Sequence, residues 1–212
     1  MDLTLYLVAD ADYVSGRDLV PLIEGAVRGG VTAVQLRAKN APHGEFLELA
    51  RRAAAVLRAH RVPLLINDRV DIALACGAAG VHLGQEDILP ALARKVLAKG
   101  TVIGVSVNTP EEAEEAERQG ADYVGAGPVY GTSTKDTELP VLGPEGIRLI
   151  KGRVRIPVVA IGGITDQNAR AVREAGADGV AVVSAILGAP DPEHAARRLK
   201  IAMGPPLTGG GW

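Results

Sequence analysis

The chain of 212 residues holds one cysteine, one tryptophan and one phenylalanine, and only 3% of it is aromatic. Each scarcity removes a class of function. The lone Cys76 forms no internal disulfide, and no charged segment followed by an apolar one opens the sequence, so the pattern is that of the reducing cytoplasm rather than of secretion. So few rings leave little for base stacking or for cages around organic cations. Charge is not in excess either, with 23 Lys and Arg against 25 Asp and Glu. Without a basic run there is no footprint for nucleic acid or for an anionic membrane surface. Apolar runs are broken within about ten residues, well short of the roughly 20 that a bilayer span requires. What is left is small-molecule chemistry in a globular protein with one sizeable core, with assembly into a homo-oligomer left open.

Eight short apolar runs rich in β-branched residues alternate with amphipathic segments. The runs are 3–9, 33–36, 64–66, 81–83, 102–107, 123–126, 158–161 and 180–183. The helix-like segments between and after them are 19–28, 45–60, 70–76, 89–98, 111–119, 144–150, 167–174 and 192–202. Continuous rather than alternating apolarity is what a parallel strand covered on both faces needs. Gly77, Gly120 and Gly176 each fall just past a helix-like segment, where glycine takes up the left-handed closing conformation. Thr109-Pro110-Glu111-Glu112 reads as an N-cap, a proline at the first helical position and a capping-box glutamate. Eight strand-helix units without a linker predict an α/β protein that is a single (β/α)8 TIM barrel over residues 1–203. Residues 204–212, with two prolines and three consecutive glycines, lack the apolar content to pack and are expected to be a disordered tail.

In a barrel of this kind chemistry collects where strands run into βα loops. Polar residues follow most of the runs: Gln35, Arg37 and Lys39; Asn67 and Asp68; Gln85, Glu86 and Asp87; Ser106 and Asn108; Thr132, Ser133, Thr134 and Lys135; Gly162 and Gly163; and Ser184. Extended alternation sends Gln35, Arg37 and Lys39 to one side, with Leu36 and Ala38 between them, and two converging cations suit a phosphate or diphosphate. Solvated loop charges are the competing reading. Asp68 and Asp87, at adjacent strand ends, form a minimal oxygen set for Mg²⁺, which takes one or two carboxylates plus substrate phosphates and water. For Asp68 alone, a helix N-cap explains the residue equally well. The stretch 132–135 suits a mobile loop closing on phosphate, and an ordinary polar surface loop is as common a use of such residues. Gly162-Gly163 and Val183-Ser184 occupy the loops where barrels bind phosphate through backbone N–H groups, the alternative for the glycines being turn geometry. His43, His60 and His194 read as surface residues, His82 as a hydrogen-bonded interior histidine, Cys76 as a small buried residue and the acidic run 111–117 as a solvated helix face.

Taken in order, Leu5-Tyr6-Leu7-Val8, Val34-Gln35-Leu36-Arg37-Ala38-Lys39, Ile66-Asn67-Asp68, Gly80-Val81-His82-Leu83-Gly84-Gln85-Glu86-Asp87, Gly104-Val105-Ser106, Gly127-Pro128-Val129-Tyr130 with Thr132-Ser133-Thr134-Lys135, Ile161-Gly162-Gly163-Ile164 and Val183-Ser184-Ala185-Ile186 resemble the thiamine-phosphate synthase family along nearly the whole chain. The resemblance implies a cytoplasmic transferase that condenses 4-amino-2-methyl-5-(diphosphooxymethyl)pyrimidine with 4-methyl-5-(2-phosphooxyethyl)thiazole, releasing diphosphate. It implies that Gln35, Leu36, Arg37, Ala38, Lys39, Asn67, Ser106 and Lys135 hold the pyrimidine diphosphate, with Arg37, Lys39, Ser106 and Lys135 in the catalytic role. Thr132, Ser133, Thr134, Gly163, Val183 and Ser184 would hold the thiazole phosphate, and Asp68 and Asp87 the cofactor Mg²⁺. The chain departs from the family at Ala38, where an acidic residue is frequent, at Gly131, where proline is usual, and at Val107-Asn108, where a pair containing histidine is common. Two other functions fit the scaffold: a thiazole tautomerase, and a non-catalytic sensor of phosphorylated ligands.

Overall fold

The computed structural model describes residues 1–132, 134 and 139–205. Eight parallel strands close on themselves in chain order: β1 (Leu5–Asp10), β2 (Ala33–Arg37), β3 (Leu64–Asn67), β4 (Gly80–Leu83), β5 (Val102–Val107), β6 (Tyr123–Ala126), β7 (Val158–Ile161) and β8 (Gly179–Val182), with β8 paired back onto β1. Outside them lie α1 (Leu19–Arg28), α2 (His43–His60), α3 (Val70–Cys76), α4 (Pro90–Val96), α5 (Pro110–Arg118), α6 (Gly143–Lys151), α7 (Ala169–Glu174), α8 (Ser184–Leu187) and α9 (Pro192–Ala202). The expected TIM barrel is therefore the observed fold. Residues 206–212 of the expected tail, together with Ser133 and Lys135 of the expected phosphate loop, lie outside the described residues.

The two faces of the strands bury different things. Leu5, Leu7, Val34, Leu36, Ile66, Val81, Ile103, Val105, Val124, Ala160 and Val180 point outward into one continuous core shared with the helices. Their neighbours along the strands, Tyr6, Val8, Ala33, Leu65, Tyr123, Val159 and Ala181, fill the barrel interior with Leu3. Burial of both faces is why most strand positions read as continuous apolarity, with polar residues such as Gln35, Arg37, Asn67, His82 and Ser106 entering on the inward face.

Local chemistry sets the helix ends. Asp18 caps α1 by accepting from the Val20 N–H at 3.2 Å, and Thr109 caps α5 by accepting from the Glu112 N–H at 3.1 Å; either cap is worth about 1 kcal/mol. Glu112 reaches back one residue further than a capping box requires, taking the Asn108 N–H at 2.5 Å. Gly77 closes α3 with φ +66°, and Gly120 and Gly176, just past α5 and α7, also have positive φ. Several boundaries differ from the sequence expectation by a residue or two, α2 for instance starting at His43 rather than 45. The strand β1 starts at Leu5 and runs on through Asp10. The helix α4 stops at Val96 because Leu97 is extended. The helix α7 starts only at Ala169, since Thr165 and Asn168 pair across a turn, the Thr165 N–H donating to Asn168 Oδ1 at 2.8 Å. A short helix, α8, begins directly at Ser184.

Candidate active site

The mouth of the barrel at the C-terminal ends of the strands gathers most of the expected residues. Register places Val8 beside Gln35, Asp10 beside Arg37 and Asn67 beside His82. The predicted alternation holds: Gln35 and Arg37 face inward, while the Leu36 side chain is fully buried in the helix-facing core. Leu36 accordingly offers the mouth only its backbone. Ala38 also packs toward that core, and it lines a recess of about 180 Å³ with Lys39, Phe46, Asn67, Asp68 and Arg69.

The two cations are held by carboxylates. Arg37 donates from Nη1 to Asp10 Oδ2 at 2.5 Å and lies 3.9 Å from Asp12. Asp10 is fixed in turn, its Oδ1 accepting from the N–H groups of Asp12 and Tyr13 at 3.0 and 3.3 Å. Lys39 donates its own N–H to Asp12 at 3.2 Å and places Nζ 3.4 Å from Asp68 Oδ2. Sequence reasoning missed Asp10 and Asp12. The signal was an acidic pair directly after the first apolar run, and the pairing with Arg37 spans 27 residues.

Asp68 is the most constrained acid. Its backbone is left-handed, φ +61°, and its N–H donates to the His82 carbonyl at 2.8 Å. The cap of α3 is Arg69, without a side-chain bond, so the N-cap explanation for Asp68 is removed. Asn67 donates its amide to Asp68 Oδ1. Burial, followed by the facing carboxyl of Asp87, pushes the Asp68 carboxyl up to about 6, and Lys39 opposes the rise. Asp87 is anchored by the Gly84 N–H, which donates to its Oδ2 at 2.6 Å. Two carboxyls facing each other are an electrostatic cost that a divalent cation relieves, and Mg²⁺ asks the protein for no more than this. The pair fits the expected ion; among the described residues no group of three or more His, Cys, Asp or Glu side chains converges as a metal cage.

On the opposite side of the mouth, Gly162 and Gly163 have φ +99° and +63°. Tyr130 and Val129 donate to the carbonyls of Gly162 and Ile161 at 3.0 and 2.9 Å, laying the start of the β6–α6 loop over the end of β7. A Cβ on Gly163 would stand 2.5 Å from the Gly131 carbonyl oxygen and 2.8 Å from Tyr130 Cβ. The left-handed backbone and this close approach account for the glycine as turn geometry. Among the described residues the N–H groups of Gly163 and Ser184 donate to no protein group. Val183 precedes α8, and Thr134 donates its N–H to Thr132 Oγ1 at 3.2 Å. Asn108, one of the family departures, ties the loop down by donating to the carbonyls of Gly127 and Pro140 at 3.0 and 3.2 Å.

Ser106 stands on β5 with its Oγ 2.9 Å from His82 Nε2, while Gln85 donates to its carbonyl at 2.6 Å. His82 is the interior, hydrogen-bonded histidine that the sequence predicted, and His43, His60 and His194 are exposed. Cys76 differs from expectation: it is half-buried rather than buried, and desolvation pushes its thiol up.

A (β/α)8 barrel whose mouth gathers Arg37 and Lys39 with the carboxylates of Asp10, Asp12, Asp68 and Asp87 has the make-up of an enzyme that works on small molecules. Residues 5–186 match the family model for thiamine monophosphate synthase, and the chain belongs to that family, a family of transferases. It is 49% identical over 199 residues to a thiamine-phosphate synthase of Syntrophomonas wolfei, covering 94% of this chain and 95% of that one. It is 48% identical to one of Natronomonas pharaonis, covering 95% of each. The solved thiamine phosphate pyrophosphorylase from Pyrococcus furiosus superposes with a TM-score of 0.88 at 42% identity, covering 95% of this chain and 96% of that one. A 3-hexulose-6-phosphate synthase, at 21% identity and a TM-score of 0.69, shares the fold. No helix among the described residues is long and apolar enough to cross a membrane.

Proposed function

We propose that this chain condenses 4-amino-2-methyl-5-(diphosphooxymethyl)pyrimidine with 4-methyl-5-(2-phosphooxyethyl)thiazole, giving thiamine phosphate and diphosphate, in the cytoplasm. The observation that carries the reading is the convergence of Arg37, Lys39 and the Asp68–Asp87 pair at one mouth, in a chain of this family. The bond between the pyrimidine methylene and the diphosphate oxygen breaks, the aminopyrimidine ring stabilises the cation left behind, and the thiazole nitrogen attacks it. No protein nucleophile is needed. The chain must instead offset negative charge that grows on the departing diphosphate and hold two reactants in line.

Arg37, Lys39, Ser106 and Lys135 are assigned to the diphosphate, with Gln35, Asn67 and the backbone at Leu36 and Ala38 completing that end. Asp68 and Asp87 are assigned to Mg²⁺, which when bound neutralises diphosphate charge. Asp10 and Asp12 keep the Arg37 guanidinium pointed into the mouth before substrate arrives. The thiazole phosphate is assigned to Gly163, Val183, Ser184 and the 132–134 stretch, where the free N–H groups of Gly163 and Ser184 supply donors.

The test supplies both substrates and Mg²⁺ to the purified protein and follows diphosphate and thiamine phosphate together. Release of both products, dependent on both substrates, is expected. Conversion of the thiazole alone to an isomer, without diphosphate, would replace this reading with a tautomerase. Binding of both ligands without turnover would make the chain a sensor.

A further inference from the structure

One connected string of polar side chains crosses the apolar cluster that fills the barrel interior. Gln35 on β2 donates from Nε2 to the Tyr6 hydroxyl at 3.1 Å. The hydroxyls of Tyr6 on β1 and Tyr123 on β6 are 2.9 Å apart. Tyr123 stands 2.8 Å from His82 Nδ1, and His82 Nε2 stands 2.9 Å from Ser106 Oγ. Tyr6, Tyr123, Gln35 and His82 are all buried. Phenylalanine at 6 and 123 would fill nearly the same space with no hydroxyl to desolvate, so an apolar core alone does not account for two tyrosines.

The surrounding strands make room for these rings. A Cβ on Gly104 of β5 would stand only 2.1 Å from Tyr123 Cζ, and a Cβ on Gly125 of β6 would stand 2.9 Å from His82 Cε1. Tyr6 and Tyr123 meet edge to face, with centroids 6.0 Å apart.

We propose that Tyr6, Tyr123 and His82 are positioning residues, a directional hydrogen-bond relay that fixes His82 as the Nε2–H tautomer and so turns the Ser106 hydroxyl proton toward the diphosphate. The direction follows from donor counting. The Gln35 amide nitrogen has only protons to offer, so the Tyr6 oxygen accepts there and passes its own proton to Tyr123. Tyr123 passes its proton to His82 Nδ1, so Nδ1 acts as an unprotonated acceptor and the ring carries its proton on Nε2. That proton occupies Ser106 Oγ from the barrel side. The serine proton is then directed to an acceptor in the mouth. Burial pushes both phenols above the ordinary tyrosine range, so each remains a protonated donor at neutral pH.

The assignment of the acceptor to diphosphate rests on the proposed function; the tautomer does not. Nitrogen-15 NMR of histidine-labelled protein without substrate reads the tautomer directly, with His82 identified by the signal lost in His82→Asn. An unprotonated Nδ1 and a protonated Nε2 are expected. A proton on Nδ1 would overturn the relay whatever the enzyme does, and absence of diphosphate release with the expected tautomer would overturn the function and leave the relay standing. In the active enzyme, Tyr123→Phe should lower kcat about 10-fold, the low end for loss of an outer hydrogen-bond partner, with KM changed less. In a Ser106→Ala background the same change should cost almost nothing further, because the relay acts through the serine. Equal losses in both backgrounds would make Tyr123 a packing residue only.

Discussion

Lys39 places its ammonium 3.4 Å from Asp68 although the two residues sit on different strand ends, and the same aspartate faces the carboxyl of Asp87. One cation and two acids therefore share a small volume at the mouth, and the balance among them depends on pH. The folded-state carboxyl of Asp68 is raised from 3.8 to about 6 by burial first and by Asp87 second. A carboxyl raised on folding binds its proton more tightly in the native state, so its contribution to stability is complete below about 4 and is lost as pH rises through about 6. The melting temperature of the metal-free protein should fall across that window, and Asp87→Asn should flatten the fall. A wild-type profile that rises or stays level there, after subtraction of the Asp87→Asn profile, would contradict the pairing.

The Asp10–Arg37 contact leads to a second expectation. Asp10 accepts from Arg37 and from two backbone N–H groups, and it is nearly inaccessible to solvent. Asp10→Ala should destabilise the fold by about 1–3 kcal/mol, the range for orphaning buried donors. It should also leave the guanidinium less fixed, weakening pyrimidine diphosphate binding. Chemical denaturation measures the first effect and titration calorimetry the second. Unchanged affinity in the folded variant would mean that Arg37 is positioned by something other than Asp10.

Much of this was legible in the residue order because a barrel strand buried on both faces leaves a plain mark. The runs at 102–107, 123–126 and 158–161 coincide with β5, β6 and β7. The alternation Gln35-Leu36-Arg37 likewise announced which residues turn inward. What stayed hidden depends on register and on the barrel's centre. Asp10 and Arg37 meet only because β1 and β2 pair at that offset, and the Tyr6 and Tyr123 hydroxyls touch across 117 residues of chain. Neither pair has a local spacing that could reveal it. The helix α8 was hidden for another reason: four residues are too few to show a helical period.

Gly163 gives a third expectation. At φ +63°, with the Gly131 carbonyl and Tyr130 against its α-carbon, the residue tolerates no branched side chain. Gly163→Val should cost about 1–3 kcal/mol through overpacking and weaken thiazole phosphate binding by at least tenfold, about 1.4 kcal/mol. Pyrimidine diphosphate binding should change less, since its assigned contacts lie across the mouth. Binding titrations with each substrate separately measure the difference. Equal losses for both ligands would assign the glycine to loop packing alone.

The acid pair gives the last expectation, and the structure makes it a clean one. Asp68 accepts from the Asn67 amide and Asp87 from the Gly84 N–H. An asparagine oxygen can accept both of those bonds, so Asp68→Asn and Asp87→Asn each remove a negative charge while keeping the local geometry. What each loses is affinity for a hard divalent cation, because a neutral amide oxygen is a weaker ligand than a carboxylate. Each variant should therefore need more Mg²⁺ for half-maximal turnover while melting no lower than the parent. Direct titration with Mg²⁺, followed calorimetrically in the presence of pyrimidine diphosphate, separates weaker metal binding from a slower chemical step. If both variants bind and respond to Mg²⁺ as the parent does, the two aspartates are not its ligands.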